Sequence, residues 1–154
     1  MTDTFNVKAE PLTPEAFAPF GQVIATGDMV MELREGERFH LNVLSYDRHP
    51  LVCDHLNRHH RATQALVALA GRPTLVVVAP AELDFSTRDH LAAVRAFVCD
   101  GTAGINIALS TWHWGPYPLM DHVDLVNVQG AAFAQDNEVA HLQRDLGVAV
   151  TVQL

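Results

Sequence analysis

Apolar and polar positions alternate over short runs along most of this chain, and few stretches carry the 3.6-residue period of a helix. Residues 5–12 read as extended. Thr13-Pro14-Glu15 then supplies an N-cap, a proline at the first helical position and an early acid, so a short helix is predicted to begin near Pro14 and to end by Pro19 and Gly21. Residues 22–25 and 39–46 are further extended segments, separated by a polar loop over 27–36. The run 64–70 leads into the turn signal Gly71-Arg72-Pro73 and then into the β-branched run 74–79, a pattern that predicts a buried hairpin. A helical insertion capped by Ser86 or Thr87 is expected over 85–93. Residues 94–98 alternate before the Asp100-Gly101 turn, and 105–111, 123–128 and 148–154 are the remaining strand candidates. A second helix is predicted over 137–146, with Asn137 at one end and Gly147 closing the other.

Short strands punctuated by Gly, Pro and Asp, without alternating helices, predict an all-β antiparallel barrel or sandwich with about two short helices. At 154 residues and 49% hydrophobic content, one core and a single domain over 1–154 are expected. No apolar run is long enough to suggest a membrane span, and the opening Met1-Thr2-Asp3-Thr4 is unlike a leader, so the expectation is a cytoplasmic protein without a membrane partner. Cys53 and Cys99 are far apart and lack ligand spacing, which fits a reducing compartment and argues against a disulfide framework. A net charge of -8 repels phosphate backbones and disfavours nucleic acid as a partner. Nine of the ten cationic side chains are Arg, the residue whose planar fork binds carboxylates through two parallel hydrogen bonds.

Two clusters could carry chemistry. The first, from His55 to Gln64, holds His59, His60, Arg58 and Arg61 just before an apolar run. On an extended strand Arg58 and His60 share one face and His59 takes the other. The plainer reading is a solvated polar turn. The second is Trp112-His113-Trp114-Gly115-Pro116-Tyr117-Pro118, where flanking indoles would keep water from His113 and favour its neutral form, as suits a general base. Its plainer reading is a core-edge aromatic cluster with a hydrogen-bonded histidine. There is no phosphate-binding glycine loop, GxSxG elbow or HExxH motif.

The order of these clusters resembles the ureidoglycolate lyase family. Arg58-His59, Thr63-Gln64-Ala65, Gly71 and Val76-Val77-Val78 resemble its "RHP…TQAF…G…VVV" segment. Val94-Arg95-Ala96-Phe97-Val98 with Gly101 resembles "LRAF…G", and Gly104-Ile105-Asn106 with Trp112-His113 and Pro116-Tyr117-Pro118-Leu119 resembles "GVN…WHHPL". Pro11-Leu12-Thr13-Pro14-Glu15-Ala16-Phe17 with Gly21 and Val23-Ile24 is similar to the family's opening. The resemblance implies a cupin-like double-stranded β-helix, commonly a homodimer, that cleaves ureidoglycolate to glyoxylate and urea in purine catabolism and allantoin degradation. Against the family pattern, Asn57 stands for Glu and His60 for the proline. Ala108 stands for a strand histidine and Trp114 for the second histidine, with Gly115 as an extra residue.

From these readings, His113, His59 and His60 are the expected proton carriers, with His113 placed first. Arg58 and Arg95 are the expected anchors for a small carboxylate substrate, with Gln64, Asn106, Trp112 and Trp114 completing the pocket. No cofactor and no obligatory metal are expected. Two other functions fit the same residues: a metal-dependent cupin enzyme, on the spacing His60-x3-Gln64-x6-Gly71, and a non-catalytic small-molecule binder, on Ala108 and Trp114.

Overall fold

A computed structural model describes residues 1–154. Thirteen strands form almost all of the regular structure: β1 (Asp3–Pro11), β2 (Gly21–Ile24), β3 (Phe39–Asp47), β4 (Val52–Cys53), β5 (Leu56–Arg58), β6 (Gln64–Ala68), β7 (Thr74–Ala79), β8 (Arg95–Cys99), β9 (Gly104–Ile107), β10 (Trp112–Pro118), β11 (His122–Gly130), β12 (Glu138–Ala140) and β13 (Val148–Gln153). Two single-turn helices, α1 (Pro14–Phe17) and α2 (Leu142–Leu146), accompany them. The strands make an eight-stranded sheet, β12-β5-β10-β7-β8-β1-β13-β4, and a five-stranded sheet, β2-β9-β6-β11-β3. The result is an all-β half-barrel of two curled sheets.

The strand β7 shows why the molecule has two cores. All six of its residues are buried. Leu75, Val77 and Ala79 join a cluster with Trp112, Tyr117 and Val150, inside the curl of the large sheet. Val76 and Val78 point the other way, toward Leu66, Ile105, Ile107 and Phe97 in the interior shared by the two sheets. A strand covered on both faces reads as a continuous apolar run, which is its sequence. Cys53 belongs to the first cluster and Cys99 to the second, so the two thiols are free and buried apart, their pKa values pushed up to about 12 and about 11 by burial.

The helix at Pro14 forms as predicted, with Thr13 Oγ1 accepting from the Ala16 amide at 3.1 Å. Arg88–Ala93, within the expected insertion, is a 3-10 helix capped by Thr87. Three expectations are corrected. β6 and β7 are not a hairpin: they lie in different sheets, because Ala70 (φ 58°) and Gly71 (φ 62°) are successive left-handed residues that turn the chain from one sheet to the other. The sheets are not purely antiparallel, since β1 runs parallel to both β13 and β8. The predicted helix over 137–146 is mostly strand, because Glu138, Val139 and Ala140 pair with β5. Only its last turn survives as α2, ended by Gly147 at φ 66° as the sequence pattern required.

Candidate active site

His113 is the second residue of β10, opposite Val78 on one side and Asn57 on the other. Residues directly opposite across a ladder share a face, so His113 points into the interior that holds Val78. It is 7% exposed. Burial pushes its pKa down to about 4, against a smaller upward pull from the Thr111 carbonyl and a further downward push from His59. The Thr111 carbonyl lies 3.0 Å from Nδ1. A carbonyl can only accept, so Nδ1 carries the hydrogen and Nε2 keeps a free lone pair.

His59 follows β5 on the same face as Asn57, and its ring centre is 5.4 Å from that of His113. Its Nδ1 is 2.6 Å from the Asp136 carbonyl, so that nitrogen also carries a hydrogen. Two imidazoles thus stand side by side, each oriented by a backbone carbonyl through Nδ1 and each with Nε2 unengaged, and burial holds His113 neutral. His113 is deep and His59 is half-buried nearer solvent.

Polar side chains from the smaller sheet face the same interior. Gln64 lies opposite Ile107, and its Nε2 donates to Asn127 Oδ1 at 2.8 Å. Asn127 Nδ2 in turn donates to Asn42 Oδ1 at 2.8 Å. Gln129 and His40, paired one step further along β11 and β3, continue this face, and His40 stacks on Phe133 with ring centres 5.3 Å apart. Asn127 is fully buried and Asn42 is exposed, so the polar track runs from core to solvent along the open edge of the half-barrel. Gln64 Oε1 and His40 Nε2 are buried without a hydrogen-bond partner.

The other expected site residues are distributed elsewhere. Arg58 and His60 do share a face, but it is the opposite face of the large sheet from His113. Arg58 lies over the Trp112 ring at 4.1 Å and donates to Glu138 through Nε at 2.9 Å and Nη2 at 3.0 Å, and to the Ala81 carbonyl at 2.8 Å. His60 Nε2 meets the same Glu138 carboxylate at 2.7 Å, and its Nδ1 lies 2.7 Å from Ser110 Oγ. The Arg58 guanidinium, with help from His60, holds the Glu138 carboxyl below its ordinary pKa. Trp112 and Trp114 also lie on that far side, Trp114 against His55 with ring centres 4.0 Å apart. The expectation that the indoles dry His113 is therefore corrected: neighbours in a strand point to opposite faces, and Val78 and the barrel interior bury the imidazole instead.

Arg95 shares the Val78 face but is tied down near α1, paired with both oxygens of Glu10 and lying 5.1 Å over Phe97. Asn106 points out of the barrel, donating to Gln22 Oε1 at 3.2 Å and the Val30 carbonyl at 3.1 Å beneath the 27–36 loop. Gly115 lies in a β-bulge between Trp114 and Tyr117. Its φ is +106°, and a Cβ there would meet the Leu75 carbonyl oxygen at 3.0 Å, so glycine suits the bulge, while His113 before it keeps its register with Val78. The sequence reading missed Asn127, Asn42, Gln129, His40, Asp136 and Glu138. Asn127 and Gln129 interrupt the apolar phase begun by Val123 and Leu125, a signal available in the alternation itself.

Fold and site together define a β-barrel protein in which paired imidazoles on the large sheet and an amide relay on the small sheet face the interior the two sheets share. The family model for ureidoglycolate lyase matches residues 30–149, and the chain belongs to that family. A ureidoglycolate lyase from Burkholderia mallei is 39% identical over 129 residues, covering 70% of this chain and 72% of the relative. One from Pseudomonas fluorescens is 38% identical, covering 68% and 72%, and one from Pseudomonas aeruginosa is 35% identical, covering 70% and 73%. Among solved structures, RmlC from Streptococcus suis matches at 14% identity and TM-score 0.44, and the Legionella pneumophila dTDP-6-deoxy-D-glucose-3,5-epimerase RmlC at 15% and 0.46. These alignments cover 60% and 73% of this chain but only 43% and 60% of the respective RmlC chains.

Proposed function

We propose that this chain is a lyase that breaks the carbon–nitrogen bond of ureidoglycolate, releasing glyoxylate and urea. The observation that carries the reading is the His113–His59 pair, whose free Nε2 atoms face one interior. The reaction needs one proton taken from the carbinol oxygen and one delivered to the departing nitrogen. Neutral His113 takes the carbinol proton at Nε2. As the carbonyl forms, the electron pair of the carbon–nitrogen bond passes to the urea nitrogen, which is protonated by His59 in its cationic form. The proton held by His113 then passes to His59, which returns both rings to their starting states. Water is not consumed.

Arg58 and Arg95 are engaged by Glu138 and Glu10, so in this reading they brace the barrel. The carboxylate is held instead by Arg38. This exposed residue makes no ion pair, and its carbonyl extends the β3–β11 ladder through the Ala131 amide at 2.6 Å, which puts it on the phase of His40 at the open edge. A bound divalent metal does not fit the residues: a structural or catalytic ion takes three or four converging ligands, and no group of three His, Cys, Asp or Glu side chains converges. A homodimer is part of the proposal, supported by the nine-residue edge strand β3, whose outward Leu41 and Val43 are 65% and 53% exposed. No helix is long and apolar enough to cross a membrane.

The test is urea release from ureidoglycolate by the purified chain and by His113→Asn. Turnover reduced by about 10² or more in a folded variant is expected. Near-normal turnover by that variant removes His113 from the mechanism. Sedimentation at micromolar concentration should show twice one chain's mass.

A further inference from the structure

Gln64 is 9% exposed, and its amide is half-satisfied: Nε2 is consumed by Asn127, while Oε1 is buried with no partner. A buried acceptor left empty costs free energy comparable to a lost hydrogen bond, so such a group marks a place where a donor belongs. The direction of the relay decides which atom is free. Gln64 donates to Asn127, and Asn127 donates to Asn42, so the inner terminus of the chain is an acceptor and calls for an N–H or O–H. Charge decides which end of a substrate reaches it. The surroundings of Gln64 are Ile107 and Leu66, fully buried Asn127, and, across the interior, His113, which burial keeps neutral. No cation is placed there, because Arg95 is committed to Glu10 and Arg58 lies behind the sheet. A carboxylate carried into that depth would lose its hydration without a counter-charge.

We infer that Gln64 is the specificity-determining residue of the site, accepting a hydrogen from the terminal –NH2 of a ureido substrate that enters uncharged end first and leaves its carboxylate at the open edge. This rests on the ureidoglycolate reading and adds an orientation to it. Asn127 and Asn42 are positioning residues that hold the Gln64 amide in this sense.

Two uncleavable acids of nearly the same shape test it: N-carbamoylglycine, which ends in –NH2, and N-acetylglycine, which ends in –CH3. Inhibition constants against ureidoglycolate turnover, and direct calorimetric binding, are measured for both. The wild-type protein should bind the carbamoyl compound about tenfold tighter or more, since a site built around a hydrogen bond rejects a ligand lacking the donor. Gln64→Met should bring the ratio close to one. Gln64→Glu, which keeps an acceptor oxygen, should retain the preference even where both affinities fall. Equal binding of the two acids by a wild-type protein that turns over ureidoglycolate overturns the orientation and leaves the lyase standing. So does a ratio unchanged in folded Gln64→Met. A protein that neither turns over ureidoglycolate nor binds the carbamoyl acid overturns the lyase reading, and the inference with it.

Discussion

His113 couples the site to the stability of the fold, and the coupling has a definite sign. In the folded chain its pKa is pushed down to about 4, whereas a solvated histidine in the unfolded chain titrates near 6.5. Between these values the unfolded state binds the extra proton, so stability is full above about pH 6.5 and is lost as pH falls toward 4. Each pH unit in that window is worth about 1.4 kcal/mol. Between pH 7.5 and pH 4.5 this one residue therefore costs the wild-type protein about 3 kcal/mol, a large share of the stability of an ordinary domain. His113→Gln removes the titration while its side-chain amide can still donate to the Thr111 carbonyl. Guanidinium chloride unfolding at several pH values between 7.5 and 4.5, compared between the two proteins, cancels groups common to both. The variant should be the less stable protein at pH 7.5, by about 1–2 kcal/mol for imperfect repacking. That gap should close or invert by pH 4.5. A gap that stays constant across the range would refute the argument that burial holds His113 neutral.

Three further outcomes follow from other parts of the molecule. Gly115→Ala should destabilise the fold by about 1–3 kcal/mol, because it places a side chain at φ +106° against the Leu75 carbonyl; an unchanged melting temperature would show that the bulge relaxes freely. His122, exposed and bonded to Asp47 at 2.7 Å and Asp124 at 2.9 Å, has its pKa raised by those carboxylates. Its stabilising contribution is present at acid pH and lost as pH rises through that raised value, so His122→Gln should flatten the wild-type decline in melting temperature on the alkaline side of 6.5. Dialysis against a chelator should leave ureidoglycolate turnover unchanged, and restoration of lost turnover by one divalent ion would overturn the metal-free reading.

The strands were largely legible in the sequence because a pleated, half-buried surface leaves its period of two on the chain, as in 39–46 and 123–128 against β3 and β11. The cap at Thr13 and the left-handed stop at Gly147 were legible for the same local reason, since they depend only on neighbouring backbone. Alternation also put Arg58 with His60 and His59 on the other face. Which of those faces lines the interior is a property of the sheet, and only the tertiary structure decided it. Glu138, eighty residues from Arg58, draws that guanidinium away, and its strand replaces most of a helix that Asn137 and Gly147 favoured locally. The pairing of His59 with His113, and of Gln64 with Asn127 and Asn42, joins residues from different strands across the barrel. A period along one strand identifies two faces but not what lies opposite them. The physical contents of the candidate site, two carbonyl-held imidazoles and one unpaired amide oxygen, therefore exist only once the sheets have curled.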